Sequence, residues 1–289
     1  MNKKQSYFLL GAVLIVIITI VLLFILHFKP VDKNILTVTF LNVGQGDAIF
    51  IEAPNKKQIL VDGGGDGTIL RELGSVMPFY DRSIDIVIAT HPDKDHIGGL
   101  VDVVQNFSVD QVVRSGVESD TSTFKLFNSL IARQDIIEHI AERGMRIYLD
   151  EELGIYVDVL HPAYDVSRVQ DKNDASVILR LVYGETEFLL TGDASQRIEK
   201  ELITRGDINE IRSDVLKLGH HGSKTSSDLE FLQAVQPELA IVSASCDNRY
   251  GHPHSEVTDR VKKLGIAIME TCIDNRISLK SDGINIVIY

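Results

Sequence analysis

From residue 36 onward, apolar side chains recur along the chain in two rhythms. Short alternating runs come first. "LTVTFLN", "DAIFIEA" and "QILVDGG", parted by the turn-forming "VGQG" and "PNKK", predict three strands in an antiparallel meander. After residue 67 the period lengthens, and the helix-like "TILRELGSVM", "IGGLVDVVQNF" and "TFKLFNSLIARQDIIEHIAERG" alternate with the strand-like "IDIVIAT", "QVVRSG" and "MRIYL". A second half repeats the style. "ASVILRLVYGETEFLLTGD" predicts strands, followed by a helix near 195–205, strand "DVLKLG", helix "SDLEFLQAVQ", strand "LAIVSAS", helix "SEVTDRVKKLG", and the closing "IAIMET" and "ISLKSDGINIVIY". Two half-sheets with helices on their outer faces pack such a pattern economically.

Residues before 36 follow neither rhythm. "YFLLGAVLIVIITIVLLFILHF" (7–28) has no acidic or basic residue apart from His27, and as a helix it would reach ~33 Å, enough to cross a bilayer. A cleavable signal would have a shorter apolar core followed by small residues, whereas "HFKPVDKN" follows here. The expectation is an uncleaved membrane anchor over 1–28, in lipid through 7–28, a linker over 29–35 and a globular domain over 36–289. Lys3 and Lys4 before the span, against Lys29 and Lys33 offset by Asp32 after it, lean towards a cell-membrane protein with its domain on the extracytoplasmic side.

Composition narrows the classes. With 289 residues, 44% hydrophobic and 24% charged, the chain can bury one sizeable core. A net charge of −12 argues against a broad basic surface that would hold nucleic acid nonspecifically, so an anionic substrate needs local help such as metal ions. Cys246 and Cys272 are first read as buried free thiols; each ends a predicted strand, so a disulfide is within reach if those strands are neighbours. No protein partner is inferable.

The candidate chemistry sits at strand ends. In "ATHPDKDHIGGL" (89–100) an apolar run stops and His91, Asp93, Asp95 and His96 follow, all of types that bind divalent metals. A solvated loop with Asp95 capping a helix is the plain alternative. Asp62 follows "ILV", Asp193 follows "FLL", His220 and His221 follow "VLKLG", and His252 and His254 lie in "NRYGHPH". Six of nine histidines fall in three such loops, which decides against chance; His27, His139 on a predicted helix and His161 at a strand end are structural by default.

These motifs resemble the metallo-β-lactamase superfamily. More closely, "FLNVGQGDAIFIEAPNKKQILVDGGG", "ATHPDKDHIGGL", "NDASVILRL", "LLTGDA", "LKLGHHGSKTSS" and "NRYGHPHSEV" resemble, in order, the hydrolase domain of ComEC-type competence proteins. The resemblance implies an α/β (α+β) four-layer αββα sandwich with two divalent metal ions in a groove at one sheet edge. It implies that His91 and Asp93 bind one ion, Asp95 and His96 the other, and Asp193 both, with His221 and His252 as further ligands. Asp93 stands where much of the superfamily has histidine; that harder oxygen donor favours Mn²⁺ relative to Zn²⁺ without excluding either. No separate third-motif histidine is evident, and Asn173 and Asp174 occupy about that region.

Two cations sharing a water bring its pKa towards neutrality and hold an oxygen on which charge develops, so hydrolysis of a phosphoric or carboxylic ester follows. Asp95, Asp193 and His220 are the expected catalytic residues, His220 as donor to the oxyanion or leaving group. Ser223, Ser226, Asn248 and His254 are expected to hold substrate, with turn and cap chemistry an equal alternative for the polar residues. Arg114, Lys217, Lys224 and Arg249 would attract phosphate, and Asp62 and Asn173 would orient ligands. "VGQGDA", with Gly44, Gly46 and Asp47, reads as a tight turn under the site. The expected function is an anchored phosphodiester hydrolase acting on single-stranded DNA or a cell-envelope phosphoester. A lactone, β-lactam or thioester hydrolase on the same fold and a noncatalytic metal-binding module are the alternatives.

Overall fold

A computed structural model describes residues 11–19, 34–205 and 208–289. Residues 11–19 are helical; the remainder of the predicted anchor, 1–10 and 20–28, lies outside the described residues, as do 29–33 of the linker. Among the described residues no helix is long and apolar enough to cross a membrane. The chain divides after Asn34, and the compact unit Ile35–Tyr289 holds everything that follows.

Two mixed sheets make the domain. β1 (Leu36–Phe40), β2 (Ile49–Glu52) and β3 (Gln58–Val61) form the predicted antiparallel meander. β4 (Ser83–Ala89), β5 (Ser108–Arg114) and β6 (Ile137–Ile140) extend it in parallel, through crossovers carrying α1 (Thr68–Val76), α2 (Lys94–Asn106) and α3 (Ser122–Arg133). The second sheet begins at β7 (Arg146–Asp150), β8 (Ile155–His161), β9 (Ile178–Tyr183) and β10 (Thr186–Leu190), all antiparallel. It continues in parallel through β11 (Val215–Lys217), β12 (Leu239–Val242) and β13 (Ala267–Glu270), with α4 (Gln196–Arg205), α5 (Leu229–Val235) and α6 (Ser255–Lys263) interleaved and the short α7 (Thr271–Asp274) after β13. The chain then returns to the first sheet, where β14 (Ile277–Ser281) pairs with β1 and β15 (Ile286–Ile288) forms the edge.

The layering follows from which faces are apolar. Val38, Phe40, Ile51, Ile59 and Ile88 of the first sheet meet Val157, Leu179, Phe188 and Ile241 of the second in one buried layer. The outer face of the first sheet packs on α1, α2 and α3, and that of the second on α4, α5 and α6. The result is the expected helix, sheet, sheet, helix sandwich.

One predicted element breaks. The helix expected to run through residue 144 ends at Arg133, Asp135 turns the backbone at φ 54°, and "IEHI" becomes the exposed edge strand β6. His139, placed on a helix by its sequence, therefore sits on a strand. Cys246 and Cys272 follow the adjacent parallel strands β12 and β13 and are joined in a disulfide, so the first reading as free thiols does not hold.

Candidate metal centre

The C-terminal ends of β3, β4, β10, β11 and β12 point to one edge of the sandwich, where an open sheet gathers polar loops. Asp62 follows β3, His91 follows β4, and α2 starts beyond it with Asp93 at its N-cap and Asp95 and His96 in its first turn. Asp193 follows β10, His220 and His221 follow β11, and His252 and His254 follow β12. The backbone is forced into these positions. Asp62, His220 and His221 take left-handed φ values of 57°, 49° and 55°, a strained choice for side chains of this kind that the surrounding packing must hold.

Asp193 is the hub. Its Oδ2 lies 3.3 Å from His96 Nε2, 3.4 Å from His221 Nε2, 3.8 Å from His220 Nε2 and 3.9 Å from His91 Nε2. Asp95 Oδ2 is 3.5 Å from His221 Nε2, and Asp93 Oδ2 is 4.0 Å from His91 Nε2. Two donors on one ion at ~2.1 Å with a tetrahedral angle are themselves about 3.4 Å apart, so these separations suit a shared cation. The trios His91, His96, Asp193 and Asp95, His96, His221 each bring ligand atoms within 4.8 Å of one another. His91 Nε2, His96 Nε2, His221 Nε2 and Asp193 Oδ1 are buried with no hydrogen-bond partner. Buried polar atoms are ordinarily paired, so four such orphans clustered at Asp193 fit metal ions.

The ring nitrogens that face away are held. Thr90 donates its hydroxyl to Asp62 Oδ2 at 2.7 Å and so is left to accept from His91 Nδ1 at 3.0 Å. His96 Nδ1 lies 2.8 Å from the same Asp62 oxygen. Both contacts place the proton on Nδ1 and leave Nε2 as a lone pair for a ligand. Ser176 adds to this, with Oγ 3.4 Å from His91 Nδ1 and accepting from the Asp193 amide at 3.1 Å. Ser176 therefore does what was expected of Asn173, which lies in a 3-10 turn where its amide donates to Asp171. Asp174 next to it binds Ser195 and Arg197, away from the cluster.

Electrostatics agree. Burial pushes the His91 imidazole down to about 3 and that of His252, beside other histidines, down to about 4, so both are neutral donors. Burial alone would raise the Asp193 carboxyl, but His221 and His96 hold it well below the ordinary range. Burial is the largest single influence and opposes charge on His96 and His221, yet Asp193 together with Asp62 at His96, and with Asp47 and Asp95 at His221, outweighs it and holds both well above an ordinary imidazole. The pocket favours positive charge.

Other expected residues divide. His220 is partly open, with Nδ1 3.1 Å from Thr225 Oγ1, whereas His221 is buried at the centre. His252 stands at the periphery, its ring 5.4 Å from that of His220 and its Nδ1 without a partner. Ser226 is fully buried and donates to Gly219 and Ser223 carbonyls, and Ser223 bonds Thr225, so both shape the turn instead of facing substrate. Asn248 spends its amide on Ser245, Tyr250 and His252 backbone, and His254 Nδ1 accepts from the Lys224 amide. Among the expected phosphate attractors, Arg114 is engaged by Glu138 and Glu118, and Lys217 is wholly buried against Asp47. Lys224 and Arg249 remain exposed. Beside Asp95 opens a cleft of about 520 Å³ lined by Gln45, Lys94, Arg249 and Tyr250.

Sequence reasoning missed Asp47 as a part of the site. It is buried, with Oδ1 3.3 Å from His221 Nδ1, and the only signal was an acidic residue ending the glycine turn. That turn needs glycine: at Gly46, φ is 117° and a Cβ would meet the Asp95 carbonyl oxygen at 1.9 Å.

Residues 41–245 match the family described as the metallo-beta-lactamase superfamily. The chain belongs to that superfamily. It is 31% identical over 267 residues to ComE operon protein 3 of Bacillus subtilis, covering 86% of this chain and 33% of that protein. It is 31% identical to competence protein ComA of Neisseria gonorrhoeae (84% and 32% covered) and 29% identical to recombination protein 2 of Haemophilus influenzae (88% and 30%). The chain spans about a third of the length of these curated relatives. Among solved structures, the metallo-beta-lactamase fold protein YhfI of Bacillus subtilis superposes with a TM-score of 0.54 at 14% identity, over 82% of this chain and 96% of that one. Igni18, a metallo hydrolase of Ignicoccus hospitalis, gives 0.53 at 15% identity (84% and 98%), and both likenesses concern the fold alone.

Proposed function

We propose that the chain is a membrane-anchored, two-metal hydrolase of phosphodiesters, with single-stranded nucleic acid as the favoured substrate. The observation that carries the reading is the buried Asp193 carboxylate ringed by unpartnered histidine nitrogens at ligand spacing. His91, His96 and Asp193 would hold one ion, and Asp95 and His221, sharing Asp193, the other, which groups His96 with His91 where the resemblance implied Asp95; Asp93 and His252 would complete the rim. Divalent ions bound there would supply Lewis acidity and bring the pKa of water towards neutrality. His220, open on one side and steadied by Thr225, is placed to pass a proton to a departing oxygen. Lys94 and Arg249 offer cationic groups to a phosphate in the adjoining cleft, whose lining also carries Asp66, Asp95 and Asp247, so metal ions would have to supply the rest of the positive charge; its volume lies within the ~300–1,000 Å³ usual for small-ligand sites.

Relatives named for competence and recombination support a nucleic-acid phosphodiester. The apolar run over 7–28 supports the anchor. The Cys246–Cys272 disulfide suits an oxidising compartment and so supports an extracytoplasmic domain.

The full chain, purified in detergent and loaded with Mn²⁺ or Zn²⁺, tests the proposal. Metal content is measured beside turnover of a generic phosphodiester, single-stranded DNA, a phosphorylcholine ester and a lactone. Two ions per chain, phosphodiester turnover and its loss in Asp193→Ala are expected. Undiminished turnover in that variant would overturn the two-metal reading. Turnover of the lactone alone would move the assignment to carboxylic esters, and full loading without any turnover would leave a noncatalytic metal module.

A further inference from the structure

Lys217 is a strange residue to find at the end of β11. It is fully buried, and its Nζ lies 2.8 Å from Asp47 Oδ2 and donates to the Leu218 carbonyl at 2.9 Å. Burying such a pair is seldom worthwhile for stability, since desolvation of both charges offsets most of their attraction. What it achieves is visible on the other side of Asp47. Oδ1 lies 3.3 Å from His221 Nδ1, and neither atom has any other hydrogen-bond partner. The far nitrogen of the same ring is 3.4 Å from Asp193 and 3.5 Å from Asp95.

We propose that Lys217 and Asp47 form a positioning pair for His221, holding its Nδ1 protonated so that Nε2 serves the metal centre, while Lys217 keeps Asp47 itself from becoming a ligand. Asp47 lies close enough to Asp193 and His221 to be taken for a ligand. Geometry assigns it otherwise, because the lysine occupies one oxygen and the imidazole faces the other. The counterpart at His96 is built differently: Asp62 receives a backbone and a hydroxyl donor from Thr90 and no lysine. Each of the two central histidines thus has its own carboxylate, and only that of His221 is balanced by a buried cation. A carboxylate behind a ligating imidazole fixes its tautomer and strengthens it as a donor.

The inference rests on the metal-centre reading, and titration of the full chain separates the two. Calorimetry with Mn²⁺ and with Zn²⁺, checked by bound-metal analysis, is compared for the wild type, Asp47→Asn and the double variant Asp47→Asn/Lys217→Met, which leaves no unpaired buried charge. One ion should bind ~10–100-fold more weakly in both variants and the other should be unchanged. The double variant should melt closer to the wild type than Asp47→Asn does, without recovering the lost affinity. In ¹⁵N spectra of the Zn²⁺-loaded protein, the His221 ring should be the single Nδ1-protonated, Nε2-ligated form in the wild type and lose that form in part in both variants. Folded variants that bind both ions as the wild type does would overturn the positioning role. Loss of one ion beyond ~1,000-fold would make Asp47 a ligand and overturn it equally. A wild type that binds no metal would overturn the functional reading instead.

Discussion

Asp193 gathers four histidine nitrogens around one oxygen, but its neighbours decide whether that gathering is productive. Asp62 steadies two of the rings, one directly and one through Thr90. Asp62→Ala should weaken metal binding by ~10–100-fold while leaving the ligand set intact, which calorimetric titration will measure. Gly46→Ala places a methyl group on the Asp95 carbonyl and also requires an unfavourable φ. Melting curves should register a loss greater than ~1 kcal/mol, and metal titration should weaken with it as Asp95 moves. These residues were unequally legible in the sequence. Histidines bunched in three loops announced themselves by number and neighbourhood. Asp47 and Lys217 did not, because an acidic residue in a glycine turn has turn chemistry as its ordinary explanation and a strand-end lysine is ordinarily exposed. Only the fold brings them together. Ser226 and Asn248 take the turn chemistry that was their equal alternative, for a related reason: short polar side chains in tight loops satisfy nearby backbone before they can serve a ligand.

Strands and helices were read from local rhythm, and they hold except where the sheet overrides it. The stretch after Arg133 keeps isoleucines at helical spacing, yet Gln111 to Arg114 of β5 offer an open edge with which Ile137 to Ile140 pair in parallel. Pairing with the sheet outweighs a weak helical preference of β-branched residues. The loop after β12, which carries Asn248, His252 and His254, is tied to the segment after β13 by the disulfide across 26 residues. The double substitution Cys246→Ser/Cys272→Ser should lower stability by about 3 kcal/mol in urea unfolding, and reduction of the wild type should reproduce the loss. On α4, Glu199 accepts the amides of Ser227 and Asp228 beneath the "HHGSKTSS" loop, and burial pushes its carboxyl up to about 7 from 4.5. Between those values the folded state holds the proton more tightly than the unfolded chain. Its contribution is therefore full below pH 4.5 and is lost as pH rises through 7, a swing of ~3 kcal/mol. Urea midpoints of Glu199→Gln should fall less than those of the wild type between pH 5 and pH 8.

For the whole molecule, the sequence supported two half-sheets with helices outside, and the sandwich has that form. Strand order was not legible, because a partner far along the chain leaves no mark in a local pattern. The pairing of β1 with β14, in register from Leu36↔Ser281 to Phe40↔Ile277, is the largest such case. A chain stopped after Asn275 should be recovered mainly as aggregate, because an unpaired inner strand is a template for association. Solubility after mild expression, compared with the full chain, will measure this. The same pairing has a consequence for biosynthesis. While a ribosome is still making the second sheet, β1 has β2 on one side and nothing on the other. Its outer neighbour emerges only after nearly all the rest of the domain, so the nascent first half must be shielded, by chaperones or by slow collapse, until the final hairpin closes it.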